Sequence, residues 1–147
     1  MDAITIKIIN RSGNPDPEYA TPGSSGMDLR ADIEQPLILK PLERRMIPTG
    51  IFLEIPDGYE VQVRPRSGMA WKYGLTCLNS PGTVDSDYRG ELKVIIVNLS
   101  DTPHEIQNGD RIAQMVVSKV EKAVLVHSDD LASTERGSGG FGHSGMK

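Results

Sequence analysis

Between Asn79 and Gly90 the chain concentrates groups that can do chemistry. An amide (Asn79), two carboxylates (Asp85, Asp87), a phenol (Tyr88) and a guanidinium (Arg89) fall within eleven residues. A carboxylate in such a cluster can accept from a hydroxyl and orient or deprotonate a water, general-base work typically worth about 10²–10⁴-fold. Turns carry Asn and Asp for local backbone bonding, and that ordinary role accounts for Asn79 or Asp87. It does not account for Asp85 with Tyr88 three residues on, because an aromatic there is not turn chemistry. Pro81-Gly82 punctuates the segment as a turn. Apolar runs flank it, Leu75 to Leu78 before and Leu92 to Val97 after. These signals predict a β-hairpin that carries a site.

The elements that must position this hairpin are strands. Ile4–Ile8 and Glu60–Arg64 alternate apolar and polar residues, and Leu92–Val97 is an almost continuous apolar run suited to a strand covered on both faces. Ile112–Val117 and Ala123–Val126 complete a set of short strands. Pro and Gly recur between them (Pro36, Pro41, Pro48, Gly50, Pro56, Gly58, Pro103, Gly109). Turns at this spacing, without helical periods between, predict an all-β sandwich or barrel. Only Ser67–Tyr73 has a helical pattern, with Ser67 as its expected cap and Gly74 as its end. From Ser128 onward apolar residues are few, and Arg136–Gly145 holds five glycines around a lone Phe141. Ordering such a segment costs much backbone entropy, so residues 132–147 are expected to be a mobile arm beside a β domain at 1–131. An Arg at one end and an aromatic in the middle suit a flap that orders over an anionic, planar ligand.

Composition bounds the function. At 147 residues one domain is expected, large enough to fold without disulfides or metals. The single cysteine, Cys77, reads as a buried, inert thiol in a reducing compartment. No apolar run approaches a membrane span, and the N-terminus lacks a signal peptide's pattern, so no membrane association and a cytoplasmic location are expected. A net charge of −4 without a Lys/Arg cluster disfavours a nucleic-acid polymer as partner. A small phosphorylated ligand needs only a few local cations. The Asn98-Leu-Ser100 triplet matches a glycosylation acceptor by chance in such a chain.

The remaining motifs are weak one at a time. Gly137–Gly142 literally matches G-x-G-x-x-G, but five residues follow it, so no dinucleotide-binding βαβ unit can form. No P-loop, nucleophile elbow or metal-ligand spacing among the three histidines and Cys77 is present, and His104 and His127 read as surface or edge residues. Pro65–Ala70 joins a strand to a helix N-terminus, an anion site to which Arg66 and the Ser67 hydroxyl would contribute, or a simple helix cap. Asp28 in Gly26–Leu29 and Gln114 in Gly109–Gln114 are polar groups in apolar surroundings and need partners.

Taken in order, Gly26–Leu29, Pro65–Ala70, Asn79–Gly90, Gly109–Gln114 and Arg136–Gly145 resemble the five motifs of the trimeric dUTP diphosphatases (dUTPases). The resemblance spans nearly the whole chain. It implies a jelly-roll-like β fold with one short helix, a homotrimer, active sites at subunit interfaces, and an arm that closes as a lid. The implied reaction is dUTP plus water giving dUMP and pyrophosphate, with Mg²⁺ on the triphosphate. It limits uracil in DNA and supplies dUMP for thymidylate synthesis.

By the same resemblance Asp85 activates the attacking water. Asn79 and hairpin backbone groups match the uracil edge, and a site built on such bonds rejects cytosine by roughly 10⁴-fold or more. The backbone around Gly82 and Val84 excludes thymine's methyl. Tyr88 lies against the deoxyribose and leaves no room for a 2′-hydroxyl. Arg66, Ser67, Gly68, Gln114 and Arg136 take the phosphates, with Gly142 and Ser144 also in contact. Phe141 stacks on the base, a contribution of about 1–3 kcal/mol. Asp28 touches the Mg²⁺ through water from a neighbouring chain. The arm departs from the common Ser-Thr-Gly ending, having His143-Ser-Gly145 instead, so either Ser144 or His143 serves the terminal phosphate. Two alternatives share the fold: a dCTP deaminase, which would lack the Asp85–Tyr88 pair, and a non-enzymatic dUTP-binding regulatory module.

Overall fold

A computed structural model describes residues 2–147. Ten strands and one helix follow in order: β1 (Lys7–Asn10), β2 (Met27–Arg30), β3 (Leu37–Leu39), β4 (Arg44–Glu54), β5 (Tyr59–Arg64), α1 (Ser67–Tyr73), β6 (Leu75–Cys77), β7 (Gly82–Val84), β8 (Glu91–Asn98), β9 (His104–Ile106) and β10 (Arg111–Lys119). They form two four-stranded sheets, β1-β4-β8-β6 and β2-β10-β5-β7, and a small β3-β9 ribbon. Every strand pairing is antiparallel. The expected all-β, jelly-roll-like architecture with one short helix is what forms.

Alternation along the strands builds the core. In β5, Val61 and Val63 are buried while Glu60, Gln62 and Arg64 stand on the other face. There they bond in a row, Gln62 Nε2 donating to Glu60 Oε1 at 2.6 Å and Arg64 Nη2 to Gln62 Oε1 at 2.8 Å. Leu29, Leu39, Ile47, Val61, Ile96, Ile106 and Ile112 come from both sheets and the ribbon into one buried cluster. Cys77 belongs to that cluster, and burial pushes its thiol up to about 11. Asn98 is fully buried and bonded to the Leu39 and Thr102 carbonyls, so its acceptor triplet has no access for modification.

Strand β4 carries an irregularity. Its register against β8 shifts between Pro48 and Phe52, where three residues face one. Side chains satisfy the amides freed there. Thr49 Oγ1 donates to the Leu92 carbonyl at 2.6 Å and accepts from the Ile51 N–H at 3.2 Å, and the Gly50 N–H donates to Glu91 Oε2 at 3.0 Å. Gly50 sits at φ 71°, a left-handed conformation that favours glycine.

Several expectations shift. The first strand runs Lys7–Asn10 instead of Ile4–Ile8, because its ladder partner is β4 from Ile51 to Glu54 and partner length overrides local alternation. Strand β8 is not covered evenly on both faces, since Lys93 is exposed and Ile95 partly so. Ala123–Val126 forms no strand, and its apolar side chains are about nine-tenths exposed, because β propensity without an edge to pair with makes no ladder. Ser67 is the first residue of α1, so Arg66 takes the cap position in extended conformation without a side-chain cap bond, while Gly74 ends the helix in the left-handed region as expected.

The Asn79–Gly90 segment is the main revision. Strands β6 and β8 do pair antiparallel, Leu75 opposite Asn98 and Cys77 opposite Ile96. Their connection is not a tight turn at Pro81-Gly82. After a cis Ser80-Pro81 peptide it crosses to the other sheet, where Gly82–Val84 pairs with Val61–Val63 of β5. The polar cluster therefore follows an edge strand of the second sheet.

Candidate active site

Strand β7 delivers Asp85 and Tyr88 to one cavity of about 430 Å³, whose wall also includes Val63, Val84, Glu91 and Lys93. The Tyr88 N–H donates to the Asp85 carbonyl at 3.1 Å, closing a turn that holds the two side chains near each other. The Tyr88 hydroxyl donates to the Glu91 carbonyl at 2.8 Å. Its ring is 45% exposed, not buried, so one face remains open to a ligand. Arg89 donates Nη1 to the Ser86 carbonyl at 2.6 Å and to the Tyr88 carbonyl at 3.2 Å, fastening the loop instead of facing the cavity. Asn79 lies over Gly82, where an added β-carbon would come within 3.0 Å of its Nδ2. The chain thus brings Asn79 to Gly82 and Asp85 to Tyr88 and Val84.

A second cavity, of about 330 Å³, gathers Asp28, Arg66, Ser67, Gly68 and Gln114. Strand β10 sits between β2 and β5 with Gln114 opposite both Asp28 and Arg64, which explains why residues so distant in sequence meet. Gln114 finds the partner that its apolar strand demanded, Nε2 donating to the Pro65 carbonyl at 3.1 Å. Its Oε1 occupies the space that a β-carbon on Gly26 would need. Arg66 is held from two sides. Its Nε pairs with Asp28 Oδ1 at 3.1 Å, and its Nη1 donates to the Arg111 carbonyl at 3.1 Å. Arg111 Nη1 reaches the other Asp28 oxygen at 3.4 Å. Ser67 and Gly68 are exposed at the start of α1. The arrangement is a polar concavity with an open helix start, in which Arg66 is paired with Asp28 and serine, amide and backbone donors are open to phosphate oxygens.

The two cavities share no lining residue. Sheet order β2-β10-β5-β7 puts Asp28 and the Asp85 segment at opposite edges, three strand spacings or about 14 Å apart. Along the strands, Gln114 lies opposite Arg64 while Val84 lies opposite Val61, a further offset of about 10 Å.

The arm stands apart from both. Arg136 donates Nε to the Gly139 carbonyl within the arm at 2.7 Å. Phe141 is fully exposed and Ser144 is exposed, and Phe141 and Gly142 have positive φ. Neither cavity is lined by an arm residue. Among the described residues no group of three His, Cys, Asp or Glu side chains is placed to hold a metal ion.

Sequence reasoning assigned nothing to Arg111, Gly26 or Glu91. Arg111 and Gly26 lie inside segments already singled out, so proximity to a motif was the available signal. Glu91 follows the polar cluster by one residue, and its part is played by a backbone carbonyl, which no residue type announces.

Comparison with known proteins converges. A family model described as dUTPase matches residues 13–145. The chain is 56% identical over 140 residues to a deoxyuridine 5′-triphosphate nucleotidohydrolase of Finegoldia magna, covering 95% of this chain and 98% of that protein. It is 59% identical over 135 residues to the protein of the same name from Chlamydia pneumoniae, covering 91% and 93%. Its fold is similar to that of the Staphylococcus bacteriophage 80alpha dUTPase solved with dUPNHPP, with a TM-score of 0.86 at 26% identity, covering 97% of this chain and 99% of that one.

Proposed function

This chain belongs to the dUTPase family, and from that membership we propose that it hydrolyses dUTP to dUMP and pyrophosphate by attack of an Asp85-activated water on the α-phosphate. The observation that carries the reading is that Asp85, Tyr88 and Val84 line a single cavity. There Asp85 accepts from the sugar 3′-hydroxyl and orients or deprotonates the water, and Tyr88 lies against the deoxyribose; Asn79 and Gly82, which lie together outside that lining, match uracil with the backbone at Val84.

The phosphates belong to the second cavity. Arg66 is presented there with its guanidinium already braced by Asp28, so little side-chain entropy is lost on binding. Ser67, Gly68 and Gln114 add donors, and Arg136, Gly142, Ser144 and the Phe141 ring arrive with the arm. Mg²⁺ keeps several waters and takes substrate oxygens, so it needs only an outer carboxylate from the protein. Asp28 lines the second cavity and is partly open to solvent, but Arg66 and Arg111 hold its two oxygens, so it would meet the ion only through a water. When bound, the ion offsets part of the triphosphate charge.

The homotrimer is what the family resemblance implies, and the separation of the two cavities within one chain supports a site that takes them from different subunits. The exposed run Val124-Leu125-Val126 supports it too, as apolar surface for a subunit contact to cover. No helix of the described residues is long and apolar enough to cross a membrane. We place the protein in the cytoplasm from its reduced, buried cysteine and its substrate.

Pyrophosphate release from dUTP, with and without Mg²⁺, tests the activity. Asp85→Asn should keep dUTP binding and lose about 10²–10⁴-fold in turnover. Near-normal turnover of that variant would remove Asp85 from the chemistry.

A further inference from the structure

Gly90 is glycine for want of space and not for backbone freedom. It is absent from the positive-φ residues, so its conformation would admit any L-residue. What it lacks is room. A β-carbon built there would lie 2.6 Å from Tyr88 Cζ and 2.9 Å from Cε1, and would overlap the hydroxyl oxygen. The phenol ring lies directly on the Gly90 backbone.

An aromatic 45% exposed at a loop would ordinarily sample several rotamers. Tyr88 is held by three contacts. Gly90 supports the ring from below. The hydroxyl donates to the Glu91 carbonyl at 2.8 Å, and the Tyr88 N–H donates to the Asp85 carbonyl at 3.1 Å. Glu91 is fixed in its turn, because its carboxylate accepts the Gly50 N–H at 3.0 Å and the next carbonyl, that of Leu92, accepts from Thr49 at 2.6 Å. The irregular stretch of β4 thereby fixes the acceptor that fixes the ring.

We infer that Gly90 is a positioning residue for sugar selection: its bare backbone seats Tyr88 so that the ring forms a rigid wall against a 2′-hydroxyl. The inference rests on the reading that Tyr88 faces the deoxyribose. Rejection of one extra hydroxyl by a wall is steric, and it holds only as firmly as the wall does. Adding a methyl group at residue 90 lifts the ring, breaks its bond to Glu91 and opens the cavity to ribose.

The test is kcat/KM for dUTP and for UTP with the full-length protein and three variants. Gly90→Ala should raise the UTP-to-dUTP ratio by about ten- to a hundredfold. Tyr88→Phe keeps the ring and its seat but loses the hydroxyl bond, and should move the ratio the same way by about two- to tenfold. Tyr88→Ala should move it most. A Gly90→Ala enzyme weakened equally toward both nucleotides, with the ratio unchanged, would make Gly90 merely structural and overturn the inference while a shifted Tyr88→Ala upheld the sugar-facing reading. An unchanged ratio in Tyr88→Ala would overturn that reading and this inference with it. Should Gly90→Ala fail to fold, the Gly90→Ala/Tyr88→Ala double variant decides: recovery of folding with the ratio of Tyr88→Ala alone upholds the seat, and a double variant that still fails to fold overturns it.

Discussion

Thr49→Val isolates the irregular stretch of β4 without altering shape. Valine replaces the hydroxyl by a methyl at a site 2% exposed. Two backbone groups lose their partner at once, the Leu92 carbonyl and the Ile51 N–H. An unpaired buried backbone group costs about 1–3 kcal/mol, so the pair costs about 2–6 kcal/mol, less whatever the added methyl gains from burial. Taking about 3 kcal/mol, and about 3–4 °C per kcal/mol for a chain of this size, the melting temperature should fall by about 10 °C. The measurement is thermal unfolding by circular dichroism at fixed protein concentration, because any oligomer makes the midpoint concentration-dependent. Thr49→Ser is the comparator. It keeps the donor and acceptor, loses one methyl, and should melt between the other two. A Thr49→Val protein melting within about 2 °C of the parent would refute the reasoning, as would a serine variant less stable than the valine one. Either result would mean that water or the main chain satisfies those groups.

Truncation after Leu131 removes residues that line neither cavity, so it should leave the unfolding midpoint nearly unchanged while crippling dUTP turnover; loss of assembly instead would make the tail structural. Asn98→Asp replaces an amide that donates to two carbonyls by a carboxylate that can only accept, and should cost more than about 3 kcal/mol in urea unfolding at pH 7. Cys77 should resist a thiol reagent at pH 8 until the protein is unfolded. Its folded thiol titrates at about 11 against 9.0 for the free group, so its contribution is intact below pH 9 and is lost as pH rises toward 11. About 2–3 kcal/mol of stability should disappear across that window in the parent and not in Cys77→Ala.

Legibility followed whether a residue's partner was local. Strands β5, β8 and β10 were readable because their apolar positions repeat along the chain itself. The ends of β1 were not, since the partner segment in β4 sets them. The crossing of Gly82–Val84 to the second sheet was hidden, because pairing to Val61–Val63 leaves no mark on residue types. In the site, Arg66, Ser67, Gly68 and Gln114 are expected as phosphate contacts and Asp28 as an outer metal contact from a neighbouring chain; all five line one cavity of the same chain, and the grip of Asp28 on Arg66 needed β10 to bring them together. Tyr88, expected to lie against the deoxyribose, is 45% exposed, because the segment that carries it follows an edge strand with no neighbour beyond it.

The spacing of the two cavities has a genetic reading. If each catalytic unit draws Asp85 from one subunit and Arg66 from its neighbour, two inactive proteins can restore one another. A chain dead at Asp85 and a chain dead at Arg66, mixed in equal parts and reassembled, would leave about a quarter of the units with both groups intact. Neither parent alone would have any. Conversely, a cell carrying one sound and one doubly damaged allele would fall to about a quarter of normal sites, not half. Two strands lying between Asp28 and β7 would thus turn an inheritance pattern from recessive toward dominant.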